Sequence, residues 1–347
     1  MAQSVSRKIT AARWLQPRSG KAYNDTDLYF VTGSSTSTST ARLSLWTTPN
    51  PDFTQQSIEP TRDFATPVGC VSHEGDVTSI AVALSAPVLA TGSSYGQVSV
   101  YSIDSDSTQP LVLSESITAH RYANNEPAVC TGVSVQPAPG VDAEIASCGE
   151  DGHIAFAPMS RLGALQRYDI DSTVITGICW TTPQQVAVST RAGQIKMVDR
   201  RQPNEIAAAF VGLGNNVAFE CVNVHPSQPY RIATGTDNGS VMVWDVRNSK
   251  KPQIDAFGVH GANVWSIQFH PGNCDKVVSC SDDATVAVTD WTNGAGAHSV
   301  RVLSNHLNVL SINCFDFCPF TKTSLLVGGS DSGNILLNSR SSCDFSL

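Results

Sequence analysis

Histidine, aspartate and cysteine are the residue types in this sequence that could perform acid–base or metal chemistry. Three histidines, His73, His120 and His260, each stand just before a short apolar segment, at similar places in successive parts of the chain. A histidine beside a carboxylate could act as a general base or bind a metal ion. One histidine per repeated segment is, however, typical of a structural hydrogen-bond network, and we interpret all three in that way.

The acidic pairs and the cysteines form no catalytic or metal-binding pattern either. Glu150-Asp151 and Asp282-Asp283 lie in predicted hairpin turns, where aspartate is favoured for the turn itself. The ten cysteines occur singly, without a CxxC pair or the Cys/His spacing of a zinc site, and we expect them to be reduced and buried. GxxxxGK[ST] and HExxH motifs are absent from the sequence, and we predict no nucleophile elbow of the GxSxG type. We therefore expect no enzyme, no cofactor and no metal ion.

The stretch Arg231–Arg247, RIATGTDNGSVMVWDVR, predicts a β-hairpin. Alternating residues flank an Asp-Asn-Gly turn signal at 237–239. An Asn-Gly turn predicts a type I′ hairpin, because that turn needs positive φ at both central residues. The hairpin ends in a Trp-Asp pair, and the strand-like segment Glu220–Pro226 precedes it. These parts are typical of one blade of a WD-repeat propeller.

The inner strand of such a blade recurs along the chain. Each copy has an apolar residue, a rim residue, a small residue and then further alternating apolar residues. The copies begin at Ile9, Val77, Cys130, Ile175, Phe219, Val264 and Ile312. The last four intervals are 44 to 48 residues, near the roughly 40–45 residues of a four-stranded blade. The predicted fold is therefore an all-β, seven-bladed WD-repeat β-propeller, with residues 1–347 forming a single domain.

Closure of the ring requires a fourth strand for the seventh blade, whose three strands are predicted to end near Arg340. Ala2–Arg7 could supply it, because this segment runs directly into the Ile9 strand. Cys343–Leu347 is the alternative. We favour the N-terminal strand, since ring closure of that kind is common among propellers.

The residue after each inner-strand start should point to the rim of the central channel. Trp265 is a large aromatic residue at this position, among mostly polar residues that include Glu220 and Asn313. An exposed tryptophan there is a candidate hot spot for protein binding, with Glu220 and Asn313 as neighbouring candidates. The alternative interpretation is that Trp265 packs on its own loop.

Arg201 and Arg247 are a second pair of candidate binding residues. Each follows a blade-terminal aspartate by two residues, in consecutive blades. WD-repeat substrate receptors of cullin-type ubiquitin ligases carry WDxR boxes that dock to their adaptor, so this spacing provides an alternative function. Arginine is also common at this position in ordinary blades, where it pairs with a carboxylate.

Composition narrows the classes of partner. The net charge of −8 argues against a surface for nucleic-acid phosphates, which needs clustered lysine and arginine. The start, MAQSVSRKIT, lacks the apolar region of a secretory signal. No segment approaches the roughly 18 consecutive apolar residues of a membrane span. We expect a protein of the cytosol or nucleus.

Several segments of the chain, in order and spacing, resemble the nucleoporin forty-three family. They are Val5–Trp14 (VSRKITAARW), His73–Val77 (HEGDV), Gly149–Gly152 with Ile154, Cys221–Pro226 and Ala233–Arg247. Members of this family are WD-repeat subunits of the Y-shaped outer-ring complex of the nuclear pore. The chain departs from the family in a shorter C-terminal blade, where the family has a long insertion, and in its Ser34–Thr40 run.

The resemblance implies a structural scaffold rather than an enzyme. It implies docking on an α-helical nucleoporin arm, of the nucleoporin eighty-five type, within the ring that frames mRNA export and protein import. It also implies location at the nuclear envelope, and association of the complex with kinetochores in mitosis. Direct binding of nucleic acid, insertion into a membrane and a small-molecule substrate are not expected.

Overall fold

The computed structural model describes residues 2–5, 7–15, 27–35, 40–50, 64–84, 86–105, 107–137, 143–212, 217–248, 251–271, 273, 275–292, 299–305, 310–318 and 324–340. These residues form twenty-eight β-strands and one short 3-10 helix, Leu162–Ala164. The strands make seven antiparallel sheets of four strands each. Within these ranges, no helix is long and apolar enough to cross a membrane.

Each sheet is one blade, and its strands follow one another outward from the central channel. The chain begins with β1 (Ala2–Ser4), which belongs to blade 7, and continues with blades 1 to 3: β2 (Ile9–Trp14), β3 (Asp27–Ser34), β4 (Arg42–Pro49) and β5 (Thr66–Ser72) of blade 1; β6 (Val77–Val82), β7 (Val88–Ser93), β8 (Gln97–Ile103) and β9 (Leu111–Thr118) of blade 2; and β10 (Cys130–Val135), β11 (Glu144–Gly149), β12 (His153–Pro158) and β13 (Gln166–Asp169) of blade 3. Blades 4 and 5 follow: β14 (Ile175–Thr182), β15 (Gln185–Thr190), β16 (Gln194–Asp199) and β17 (Ile206–Val211) of blade 4; and β18 (Phe219–Val224), β19 (Arg231–Thr236), β20 (Val241–Asp245) and β21 (Ile254–Ala256) of blade 5. The last strands are β22 (Val264–Phe269), β23 (Lys276–Ser281), β24 (Thr285–Asp290) and β25 (Ser299–Asn305) of blade 6, and β26 (Ile312–Phe317), β27 (Ser324–Ser330) and β28 (Asn334–Arg340) of blade 7.

The seven inner strands begin at the seven residues that the repeat predicts, which confirms the seven-bladed all-β propeller. Strand β1 supplies the outer strand of blade 7, where Gln3 lies opposite Ile335 of β28. The side-chain amide of Gln3 also donates a hydrogen bond to the carbonyl of Ala65 and accepts one from the N–H of Ala65, both at 2.9 Å. The C-terminal alternative, residues 343–347, lies outside the described residues.

The core is the set of apolar layers between neighbouring blades. Between blades 3 and 4, the rings of Phe156 and Trp180 have their centroids 5.5 Å apart, and both residues are buried. Ile154 and Ile178 complete this layer. Small residues near the channel fit the same picture, because a Cβ on Gly132 would stand only 3.0 Å from the sulfur of Cys148.

A register shift occurs near the start of every inner strand. In each case the shift falls between the first and third residues, as between Val264 and Ser266 of β22. A β-bulge of this kind leaves the second residue outside the ladder. The side chain of that residue is therefore available to contact the next blade.

The prediction of a type I′ turn at Asn238-Gly239 is wrong. Among these residues only Gly239 has positive φ, at 82°, and its N–H lies 3.4 Å from the carbonyl oxygen of Thr236. A turn followed by one left-handed residue also joins hairpin strands, and it needs glycine at one position only. The corresponding residue of blade 6 is Ala284, with φ of 64°.

The cysteines do not all follow the expectation of burial. The eight within the described residues are free, and most of them are buried, but Cys70 is exposed. Cys70 lies on β5, the outer strand of blade 1, and no further strand among the described residues covers its outward side. Cys274 and Cys343 lie outside the described residues. Within those residues, no cluster of histidine, cysteine and carboxylate side chains could hold a metal ion.

Candidate protein-binding site at the channel mouth

The second residues of five inner strands form a series of hydrogen bonds around the channel, which we call the rim belt. Each donates its side-chain hydrogen to the carbonyl of the first residue of the next inner strand. The bonds are Thr10 to Val77 at 2.5 Å, Thr78 to Cys130, Thr131 to Ile175 at 2.5 Å, Thr176 to Phe219 at 2.5 Å and Asn313 to Ile9 at 2.8 Å. The rim belt therefore tethers blade to blade at the end of the channel where the inner strands begin, the channel mouth.

Glu220 and Trp265 interrupt the rim belt at two consecutive blades. At the first position, the neighbouring thiol of Cys221 donates to the carbonyl of Val264 at 3.3 Å. At the second, Trp265 makes no such bond to the first residue of β26 within the described residues. Two adjacent inner strands thus carry rim side chains that the belt does not use.

The Glu220 carboxylate is almost wholly buried, with its side chain 8% exposed. Its nearest cation is the guanidinium of Arg191, at 3.8 Å, which is too long for a hydrogen bond. Burial raises the pKa of Glu220; the positive charge of Arg191 lowers it, and the negative charge of Asp237 raises it further. A carboxylate so placed gains from any additional cation.

Trp265 is exposed in a chain whose other tryptophans are buried. It is 38% accessible, whereas the remaining five tryptophans are at most 8% accessible. Phe257 and Leu310, in the loops that lead into β22 and β26, are 63% and 64% accessible. Trp265 is therefore partly exposed, and both the hot spot and the packing of Trp265 on its own loop stay predictions.

Aspartate residues lie in the hairpin turns at the same end of blades 5 and 6 as Trp265. The hairpin turns that end at the channel mouth carry Asp237 in blade 5, and Asp282 and Asp283 in blade 6. The backbone N–H of Asp282 donates to the carbonyl of Asn263 at 3.0 Å, which brings this exposed turn beside the start of β22. The described loops and turns at this end of blades 5 and 6 contain no lysine or arginine. We call Glu220, Asp237, Trp265 and Asp282 the Trp265 patch. Phe257 directly follows β21, the outer strand of blade 5, and faces solvent at the same end of the propeller.

Asn313 lies on the next inner strand but belongs to the rim belt. Besides the bond to Ile9, its amide donates to Asp331 at 2.8 Å, and Asp331 forms an ion pair with Lys8 at 2.8 Å. Its polar group is therefore already used in joining blade 7 to blade 1.

Arg201 and Arg247 lie at the opposite end of the channel. Both follow the third strand of a blade, which runs parallel to the inner strand and so ends away from the channel mouth. Arg201 donates twice to Asp199, at 2.9 and 2.6 Å, and Arg247 donates twice to Asp245, at 2.8 and 2.6 Å. The bonds from Arg201 lower the pKa of Asp199 to about 2. This geometry matches the carboxylate-pairing interpretation, and it separates both arginines from Trp265.

The predicted histidines form buried networks. In blade 3, His120 contacts Ser147 through Nε2 and Asp151 through Nδ1, both at 3.0 Å. In blade 6, His260 contacts Ser279 at 2.8 Å and Thr285 at 2.7 Å.

The histidine of blade 2 is held in the same way. His73 Nδ1 donates to the carbonyl of Gly75 at 2.8 Å, and Nε2 accepts from Thr91 at 3.0 Å. Burial lowers the pKa of His73 and of His260. These three histidines are 5% accessible or less, so they stabilise blades.

The repeated sheets, the buried histidine networks and the Trp-Asp hairpin define the class: a WD-repeat β-propeller. A β-propeller family model, described as nucleolar protein 10-like, N-terminal domain, matches residues 166–336. Nucleoporin Nup43 of mouse and of human are each 28% identical over 294 residues, covering 82% of this chain and 74% of the relative. The nuclear pore complex protein nup43 of Dictyostelium discoideum is 26% identical over 203 residues, covering 56% of this chain and 46% of that protein. The chain is a WD-repeat β-propeller that is similar to Nup43 over most of its length.

Proposed function

We propose that this protein is a non-enzymatic scaffold of the nuclear pore, a subunit of its Y-shaped outer-ring complex that supports mRNA export and protein import. The similarity to Nup43 across 82% of the chain carries this proposal and supports a nucleoporin WD-repeat scaffold role. The proposal extends that role to a specific assembly. Its location would be the nuclear envelope, with kinetochore association of the complex in mitosis.

The Trp265 patch is suited to binding an α-helical nucleoporin arm of the nucleoporin eighty-five type. Seven sheets packed on one another make a rigid disc, which loses little conformational entropy when a partner binds. Trp265 and Phe257 supply exposed aromatic area at one end of this disc, and aromatic residues of this kind dominate binding energy at protein interfaces. A helix could cover both side chains while its polar face stays in water.

The rival function is that of a substrate receptor of a cullin-type ubiquitin ligase. It depends on Arg201 and Arg247 being available to an adaptor. Both guanidinium groups are exposed, but each is already engaged by the carboxylate two residues before it. The pairing accounts for these arginines without a partner, so we favour the nucleoporin scaffold.

Affinity purification of the tagged full-length protein from cells separates the two functions. Outer-ring nucleoporins should co-purify in amounts close to that of the tagged protein, and the tag should localise to the nuclear rim in interphase and to kinetochores in mitosis. As a matched control, Arg247→Ala should leave this recovery unchanged. Recovery of a cullin adaptor that Arg247→Ala abolishes, with no nucleoporins present, would establish the rival function.

A further inference from the structure

Glu220 and Trp265 of the Trp265 patch lie on neighbouring inner strands, β18 and β22. The bond from Cys221 to the carbonyl of Val264 joins β18 to β22 at the channel mouth. Glu220 immediately precedes Cys221, and Trp265 immediately follows Val264. A carboxylate and an exposed indole therefore originate from adjacent backbone positions.

At five of the other inner strands, the rim position serves the structure, because it carries a threonine or asparagine that bonds to the next blade. Glu220 and Trp265 do not make that bond within the described residues. Glu220 also places an almost wholly buried carboxylate 3.8 Å from its nearest guanidinium. Arg191 neutralises this carboxylate only through a long ion pair, so a further cation at the channel mouth would stabilise it.

The chemistry of the patch selects one type of side chain. An indole face attracts a cation, and arginine also stacks on it through its planar guanidinium. The N–H donors at the edge of that group remain free to bind carboxylates. Asp237 and Asp282 provide further negative charge, which Arg191 offsets only in part.

We propose that the channel mouth between blades 5 and 6 binds an arginine side chain of a partner protein, stacked on Trp265 and paired with Glu220. The inference rests on the proposed scaffold role only for the origin of the arginine, a nucleoporin segment. The subsite itself is a property of the isolated propeller.

The test uses three short peptides and the indole N–H signals of the purified full-length protein, recorded by NMR. The peptides are acetyl-Leu-Arg-Leu-amide, the same peptide with citrulline, and the same peptide with lysine. Trp265→Phe assigns the signal of Trp265, which differs from the five buried tryptophans in its exposure. Citrulline keeps the planar shape of arginine and three of its five N–H donors, but it removes the charge and replaces one NH₂ group by a carbonyl oxygen.

We expect the arginine peptide to shift the Trp265 signal saturably, and the citrulline peptide to bind about tenfold more weakly, because charge-assisted hydrogen bonds are about twice as strong as neutral ones. Glu220→Gln and Asp282→Asn should each weaken the arginine peptide severalfold. Glu74→Gln, which removes an exposed carboxylate beside blade 2 at the same end of the channel, is the control and should have no effect.

Equal binding of the arginine and citrulline peptides would overturn the proposal, as would equal binding of arginine and lysine or unchanged affinity in both patch variants. Asp282 is exposed, so Asp282→Asn keeps the test valid if Glu220→Gln fails to fold. A negative peptide result with nucleoporins still co-purifying rejects the arginine subsite alone. Arginine binding without co-purifying nucleoporins rejects the scaffold role alone.

Discussion

Asp151 is the most heavily used carboxylate of the histidine networks, and Asp151→Asn should weaken the propeller. Its side chain is 1% exposed; it contacts His120 at 3.0 Å and accepts from the N–H of Arg121 at 3.0 Å, the N–H of His153 at 3.2 Å and the guanidinium of Arg167 at 3.1 Å. Burial alone would raise the pKa of Asp151, but the bonds and charges of His120 and Arg167 hold it below its ordinary value. The carboxylate is therefore charged at neutral pH.

The expected loss follows from these contacts. An asparagine keeps one acceptor oxygen and turns an NH₂ group toward groups that donate hydrogen. Hydrogen bonds to a charged group each contribute about 1.5–3 kcal/mol, and a partly exposed ion pair such as that of Arg167 contributes less. Loss of one acceptor and of the charge should lower the free energy of unfolding by about 3 kcal/mol.

Asp283→Asn is the matched comparison in blade 6. Asp283 accepts from the N–H of Gly261 at 2.8 Å and from the N–H and hydroxyl of Thr285 at 2.9 and 2.6 Å, but it lies 3.5 Å from His260 Nδ1 and its side chain is 22% exposed. We expect a smaller loss of about 1–2 kcal/mol, because the carboxylate is partly solvated and bonds neither histidine nor arginine directly. Urea titration followed by circular dichroism measures both variants. Equal losses, or a loss below about 1 kcal/mol for Asp151→Asn, would refute the reasoning.

Three further perturbations should change stability in defined directions. Removing residues 2–5 should lower the melting temperature, because β1 is the outer strand of blade 7 and Gln3 binds the backbone of blade 1's last connection; an unchanged melting temperature would contradict this. Ala284→Gly should raise the free energy of unfolding by up to about 1 kcal/mol, because alanine is strained at φ of 64°; a lower value in urea titration would be the contrary result. Acidification from pH 7.5 to 5.5 should lower the melting temperature. Burial lowers the pKa of His73 and His260 in the folded state, so these histidines take up protons below about pH 6.5 more readily in the unfolded chain. A melting temperature that rises on acidification would contradict this.

The inner strands were predictable because their pattern depends on burial alone. Each copy alternates apolar and small residues with period two, and the packing of neighbouring blades requires that period. The starts at Ile9 and Val264, among the others, could therefore be located from the sequence. Trp265 could be found in the same way, because the corresponding residue of every other inner strand is polar and not aromatic.

The rim belt was not predictable from periodicity. It depends on a bulge after the first residue of each inner strand, and a regular pattern does not show a bulge. Without it, Thr176 and Asn313 resemble surface residues, although both bond to the next blade.

Hydrogen-bond partners that lie far apart in the chain were not predictable either. His120 and Asp151 are 31 residues apart, and their contact requires the blade to be folded first. The two turn aspartates of the Trp265 patch, Asp237 and Asp282, were missed as binding candidates because aspartate in a turn is explained by the turn itself. Their signal lies in position: the second hairpin turn of every blade returns to the channel mouth.

The most direct test of the nucleoporin scaffold compares nucleoporins recovered with tagged wild-type protein, with Trp265→Ala and with Tyr95→Ala. Tyr95 is a 52% exposed aromatic residue at the channel-mouth end of blade 2 and serves as the matched control. We predict that Trp265→Ala lowers recovery at least tenfold, in the range of about 2 kcal/mol or more for a hot spot, while its melting temperature stays at the wild-type value. Tyr95→Ala should recover nucleoporins normally. Wild-type recovery by the folded Trp265→Ala protein, or no nucleoporins with the wild type, would contradict the account.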